Sequence, residues 1–250
     1  MTKFDAQAAT YDASRGGVGR GAHFAKELTA YLPRAAVRIL ELGVGTAAVA
    51  RPLTQRGYQV LGVDISASML AQGMARLPGR LCLADGAALP FQDAVFDASY
   101  ACWVMNHLAD PSSALAEITR VLRLGGRFLV MDRNMVDSGV DPYAVLTRAI
   151  DRRLVRSSRL LQPRSGWFAE LAETHGLRNL GVMQTNPWIE PRSLRQAIEH
   201  ARSHVFGRHE TDEEWEAIEP VLDELGQRPD ADDVVLFHQG HEVLVLERAS

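Results

Sequence analysis

Between residues 37 and 132, short apolar runs alternate with segments whose apolar residues recur at helical spacing, and three of the runs end in glycine or aspartate. Val37-Arg-Ile-Leu-Glu-Leu42 leads into the turn Gly43-Val-Gly45, and a helical pattern follows from Thr46 to Arg56. Tyr58 to Val63 ends at Asp64, and Leu81 to Ala84 ends at Asp85. Val95 to Cys102 and Arg127 to Met131 complete the strand candidates. Ser66 is placed to cap a helix running to Leu77, where Pro78-Gly79 stops it. Asp110-Pro111 opens another helix, expected to close at Gly125-Gly126. Strands joined by helical crossovers pair in parallel and are covered on both faces. The alternation therefore predicts the α/β class, a doubly wound Rossmann-like sheet.

After Asp132 the rhythm changes. Pro142 to Leu161, Trp167 to His175, Pro191 to Phe206 and Asp212 to Leu225 have helical patterns, and Leu177 to Thr185 reads as a strand. Val234 to Phe237 and Glu242 to Glu247, separated by Gln239-Gly240, read as an antiparallel hairpin. The expected organisation is a single domain over 1–250, mostly parallel with an antiparallel C-terminal strand. It has an N-terminal cap at 1–36, a core at 37–132, helical lid insertions at 133–176 and 188–226, and closing strands at 177–187 and 233–248.

Composition removes several function classes. The 27 Lys and Arg against 31 Asp and Glu give a net charge of −4, which argues against DNA as a partner and makes RNA an unfavoured one. Lys3 and Lys26 are the lysines, so the main body can form neither a Schiff base, nor a P-loop, nor a Tyr-x-x-x-Lys pair. Cys82 and Cys102 both lie in apolar runs, and paired zinc spacing is absent. No stretch approaches the roughly 18 apolar residues of a membrane span, so a cytoplasmic protein without membrane attachment is expected.

A glycine pair between a strand and a helix lets the chain turn tightly, lets a ligand approach the backbone, and presents N–H groups to an anion. A carboxylate ending the next strand, as Asp64 does, can accept both hydroxyls of a ribose. These two features also fit a dinucleotide site. Asp85 adds a third: at the end of its strand, before Gly86-Ala-Ala-Leu-Pro-Phe91, it can accept the amino protons of an adenine.

Together, VRILELGVGTA, VLGVDISASML, LADGAALPF, VFDASYACWVMNHLADP and VLRLGGRFLVMD resemble, in order and spacing, the class I S-adenosylmethionine-dependent methyltransferases. The likeness is to the small-molecule branch that includes the ubiquinone and menaquinone methyltransferases, and it covers residues 37 to 132. It implies S-adenosyl-L-methionine as cofactor and S-adenosyl-L-homocysteine as product. By this resemblance Gly43 and Gly45 would bracket the methionine part, and Glu41 would hold the loop and lie close to the amino group. Asp64 would take the ribose and Ile65 one adenine face, with Asp85 and the backbone at Gly86 binding the adenine amino group. Ala101 and Cys102 would run beside the sulfur. Tyr11-Asp12 stands where similar enzymes fold an N-terminal segment over the cofactor; a surface anchor is the other reading of Tyr11.

The implied reaction moves the methyl to O, N or C of a small organic acceptor by in-line displacement. A base is needed only for an acceptor that arrives protonated. His107 is the candidate base; its alternative is to cap the loop or pack near the adenine. Trp103 is a candidate wall for the acceptor. Both cysteines read as core residues. His200, His204 and His209 read as a solvated helix face, with no metal site, since they do not match His-Glu-x-x-His. Arg148, Arg152, Arg153, Arg156, Arg159 and Arg164 read as a solvated face or as the lining for an anionic acceptor. Tyr143, Leu146, Ile150 and Leu154 would pack this lid on the sheet. The alternatives are a nicotinamide-dependent oxidoreductase, a tRNA methyltransferase and a non-catalytic cofactor-binding protein.

Overall fold

A computed structural model describes residues 4–133, 142–153, 165–202 and 212–249. The elements in chain order begin with α1 (Tyr11–Ser14), α2 (Gly17–Thr29), β1 (Arg38–Leu42), α3 (Ala50–Gln55), β2 (Gln59–Asp64) and α4 (Ala67–Gly73). There follow β3 (Leu81–Leu83), β4 (Phe96–Cys102), a single 3₁₀ turn at Met105–His107, α5 (Pro111–Val121) and β5 (Leu122–Arg133). The remainder are α6 (Pro142–Arg153), α7 (Ser165–Thr174), β6 (Leu177–Gln184), β7 (Trp188–Arg192), α8 (Leu194–His200), α9 (Asp212–Gly226), β8 (Val235–Gln239) and β9 (His241–Arg248).

The chain divides into two compact units, one of residues 1–133, 164–186 and 241–250, the other of 134–163 and 187–240. The first holds a seven-stranded sheet in the order β3-β2-β1-β4-β5-β9-β6. Strands β1 to β5 pair in parallel, while β9 runs antiparallel to β5 and β6. Burial on both faces explains why β1 reads as a nearly continuous apolar run. Asp97 fixes the start of β1, accepting the Val37 and Arg38 N–H groups at 2.9 and 2.8 Å. The expected caps are present. Ser66 Oγ accepts from Met69 N–H at 3.2 Å, and Asp110 accepts from Ser113 N–H at 3.0 Å ahead of Pro111.

Helix α5 ends at Val121, short of the expected Gly125-Gly126. Leu122 already pairs with Phe96, and the Arg248 guanidinium takes the Arg120 and Leu122 carbonyls that a longer helix would use. Helix α7, read from sequence as part of a lid, buries Phe168, Ala169 and Ala172 in the core of the sheet unit. The closing hairpin does not form. Strand β9 is held between β5 and β6, and β8 pairs instead with β7.

In the second unit β7 and β8 form a two-stranded ribbon. Strand β7 occupies the start of what sequence presents as a helix from Pro191; the helix begins at Leu194, with Ser193 and Gln196 forming a capping box. The apolar stripe read as fixing a lid on the sheet buries within this unit. Leu146 and Ile150 join a cluster with Leu194, Ile198, Ile218 and Leu222. Arg152 and Arg153 are exposed on α6, and Arg153 donates to the Ala217 carbonyl at 3.2 Å. Leu154, Arg156, Arg159, Arg164, His204, His209 and the Tyr143 side chain lie outside what is described. Among the described residues no helix is long and apolar enough to cross a membrane, and no group of three or more His, Cys, Asp or Glu could hold a metal.

Candidate functional site

The strand order reverses between β1 and β4, and ligands of open α/β sheets bind outside the carboxyl ends of the strands at such a point. A cleft of about 340 Å³ lies there, within the sheet unit. Tyr11, Gly43, Gly45, Asp64, Ile65, Asp85, Gly86, Cys102 and His107 all line it.

The glycine turn is built for close approach. Gly43 adopts φ +69° and Gly45 φ +52°. A Cβ on Gly43 would stand 2.3 Å from Val104 Cγ2, so a side chain is excluded by strain and by space. Asp64 organises the turn from the neighbouring strand: Oδ2 accepts Gly45 N–H at 2.8 Å and Oδ1 accepts Ser66 N–H at 2.8 Å. Burial raises its pKa, partly offset by N–H donors from Ser66, Gly45 and Ile65, and Asp5 raises it further. A carboxylate offers about four lone-pair positions, so these three donors leave at least one for a ligand.

Asp85 is exposed just beyond β3 and accepts Ala87 N–H at 2.9 Å. Gly86 is buried, and a Cβ there would meet Leu42 Cδ1 at 2.9 Å. Three aspartates and no Lys or Arg are among the residues lining the cleft, so it favours a ligand with a cationic end.

Two expected residues do not reach the cleft wall. Ala101 is fully buried in β4. Glu41 lies beneath the turn, where Tyr100 Oη donates to its Oε2 at 2.7 Å and the Ala50 N–H provides a second donor. Burial pushes the Glu41 pKa up to about 8, with Asp64 adding to the rise and the two donors opposing it. Cys102 faces the cleft as a thiol; burial holds its pKa well above the ordinary value, Glu41 reinforces this, and Arg20 opposes it. That environment disfavours the thiolate a nucleophilic cysteine needs.

Trp103 follows β4 directly with φ +57°, rare for a bulky residue. The Arg20 guanidinium stacks 3.9 Å from its ring centre, Phe24 and His241 lie at 5.4 Å, and its buried Nε1–H has no hydrogen-bond partner among the described residues. Arg20 also donates to His241 Nε2 at 3.2 Å. His107 lines the cleft with its ring edge-on to Phe4 at 5.4 Å.

The N-terminal segment is more deeply engaged than its sequence indicates. Asp12 accepts from the Thr46 hydroxyl at 2.7 Å and pairs with Arg76 at 2.5 Å. Asp5 accepts from Ser66 Oγ at 2.6 Å, and Phe4 joins the lining. These contacts join residues far apart in the chain, and no local pattern announces them.

Residues 40–130 match the family described as "Methyltransferase domain". Over 175 residues the chain is 33% identical to a demethylmenaquinone methyltransferase of Streptomyces griseus, covering 68% of this chain and 76% of that one. A demethylmenaquinone methyltransferase of Mycobacterium tuberculosis is 39% identical over 95 residues, 38% of this chain and 40% of the relative, so the chain spans well under half the mycobacterial protein's length. Among solved structures, geranyl diphosphate C-methyltransferase from Streptomyces coelicolor, crystallised with S-adenosyl-L-homocysteine, shares the fold with a TM-score of 0.53. Its sequence identity is 16%, covering 90% of this chain and 78% of that one.

Proposed function

The chain belongs to the class I S-adenosylmethionine-dependent methyltransferases and resembles the quinone methyltransferases among them. On that premise we propose that it transfers a methyl group from S-adenosylmethionine to a small organic acceptor. The observation that carries this reading is the convergence of the glycine turn, Asp64 and Asp85 on one acidic cleft at the strand-order reversal. The space fits the cofactor: side-chain-free backbone at Gly43 and Gly45, a carboxylate with acceptor capacity to spare at Asp64, and an exposed carboxylate at Asp85.

When bound, S-adenosylmethionine supplies a methyl already activated on a positively charged sulfur. The chain's task is then to hold and orient. Orientation of this kind contributes on the order of 7–11 kcal/mol to lowering a barrier. Asp64 binds the ribose hydroxyls, Asp85 with Gly86 binds the adenine amino group, and Ile65 covers an adenine face. Gly43 and Gly45, bare of side chains, let the methionine part of the cofactor lie against the backbone of the turn, and Tyr11 closes over it. Cys102 and Trp103 wall the methyl end and exclude water. For an acceptor that arrives as a hydroxyl, phenol or acidic carbon, His107 is the base that takes its proton. The relatives' name makes a quinol carbon one chemistry to include among the acceptors screened.

Thermal unfolding with S-adenosylhomocysteine, S-adenosylmethionine and NAD(P)H, each titrated separately, tests the reading. A ligand at about 100 times its Kd stabilises the native state by roughly 2.7 kcal/mol. The first two are expected to raise Tm and NAD(P)H to leave it unchanged. Stabilisation by NAD(P)H alone would hand the site to an oxidoreductase.

A further inference from the structure

Glu41 and Tyr100 face each other across the β1–β4 pairing, both buried and neither on the cleft wall. The carboxylate sits two residues before Gly43, with Tyr100 Oη at 2.7 Å and the Ala50 N–H at the start of α3 as its donors. Both partners donate, so the hydrogen-bond pattern around Glu41 suits the anion. Burial and Asp64, facing it from β2, favour the neutral acid. The other titratable groups nearby are on β4 and α2. Cys102 stays a neutral thiol, and Arg20 is felt at Cys102. The Tyr100 hydroxyl is itself held protonated by burial, with Glu41 and Cys102 reinforcing this, so its role as donor is fixed.

We propose that Tyr100 is a positioning residue of the cofactor site: its hydroxyl holds the Glu41 carboxylate beneath the glycine turn so that it can stand as the anion opposite the cationic end of the bound cofactor. This rests on the methyltransferase reading. Without cofactor at neutral pH, Glu41 keeps its proton. Binding a cation above the turn favours the anion, and the proton leaves to bulk water. Cofactor affinity therefore carries a pH dependence set by Glu41 and tuned by Tyr100.

The experiment is calorimetric titration of the full chain with S-adenosylmethionine and S-adenosylhomocysteine across pH 6–9, for the native protein, Tyr100→Phe and Glu41→Gln. The ligand's own amino group titrates identically for all three, so the differences between proteins carry the signal. With Glu41 ionised about one part in ten at pH 7, native affinity is expected to be about tenfold weaker there than at the high-pH plateau. Tyr100→Phe removes a donor to the anion. It is expected to weaken binding several-fold further at pH 7, to converge on the native value at high pH, and to unfold cooperatively without ligand. Glu41→Gln, which needs no Tyr100 variant to fold, is expected to lose this part of the pH profile and the proton release. A Tyr100→Phe profile that superimposes on the native one, or is displaced equally at every pH, overturns the proposal, as does a Glu41→Gln profile that keeps the native slope. Failure of the native protein to bind either ligand at any pH would instead remove the methyltransferase reading beneath it.

Discussion

The Asp12 carboxylate accepts a hydrogen bond from the Thr46 hydroxyl at 2.7 Å, so the N-terminal segment is tied to the helix-side end of the glycine turn. Arg76 completes the contact, pairing with Asp12 at 2.5 Å and donating to the Thr46 carbonyl at 2.9 Å. Tyr11, the adjacent residue, lines the cleft. The three-residue clamp therefore sets where Tyr11 stands relative to Gly43 and Gly45.

Asp12→Ala should cost cofactor affinity more than it costs stability. The carboxylate and Arg76 are each about three-quarters buried, so losing the pair leaves the guanidinium half-satisfied without opening the core. An S-adenosylhomocysteine Kd raised roughly 10-fold with a Tm within a few degrees of native is the expected result, equivalent to about 1.4 kcal/mol. An unchanged Kd would detach the N-terminal segment from the site.

Gly21→Ala sets helix propensity against packing. Ala in the interior of α2 gains about 1 kcal/mol over Gly on propensity. A Cβ on Gly21, however, would lie 2.2 Å from the Ala48 carbonyl oxygen and 2.5 Å from its carbon, backbone atoms that cannot rotate aside. Separation of α2 from the turn should win, with a net loss of about 2 kcal/mol or more in urea unfolding. Gly79→Ala is the control. Its φ of +67° is strained but nothing lies within 4 Å, so the cost should stay near 1 kcal/mol. A stabilised Gly21→Ala protein would mean that α2 packs otherwise.

Glu41 gives the cofactor-free protein a characteristic pH response. Burial raises its pKa to about 8 from an ordinary 4.5, with the Tyr100 bond lowering it, Asp64 raising it and the Ala50 N–H lowering it. Between those values the folded chain holds a proton that the unfolded chain releases. This contribution is full below about 4.5 and is lost as pH rises through about 8, at up to about 1.4 kcal/mol per pH unit. Urea midpoints between pH 5.5 and 8.5 should fall for the native protein, and Glu41→Gln should flatten that part of the slope. An identical slope in both would assign the proton elsewhere.

How much of this was legible depended on how local each cause is. Ser66 and Asp110 act on N–H groups three residues away, and sequence located both caps. The strand ends at Asp64 and Asp85 were legible because a buried parallel strand is a short apolar run that stops at a charge. The Glu41–Tyr100 bond depends on the register of β1 against β4, and register is a tertiary fact. The last two residues of β7, Pro191 and Arg192, fall within a helical pattern in sequence; their extended conformation comes from pairing with β8, more than forty residues later. The hairpin expected at the C-terminus failed for the same reason, since the partners that win for β8 and β9 are not sequence neighbours.

Asp64→Asn separates the two jobs of that residue. The carboxylate holds Gly45 and Ser66 through their N–H groups, and the proposed function asks its remaining acceptor capacity to take the ribose. An amide can accept one of the two N–H bonds but turns its NH2 against the other. It also removes a charge whose burial already raises its pKa. These effects oppose each other in the free protein, so its stability should change by no more than about 1 kcal/mol. Binding has no such offset, because hydrogen bonds to a charged acceptor contribute roughly 1.5–3 kcal/mol each. S-adenosylhomocysteine affinity should fall at least about 30-fold, read by calorimetry. A large loss of stability with affinity retained in the folded fraction would make Asp64 a brace for the turn and move ribose recognition elsewhere on the cleft.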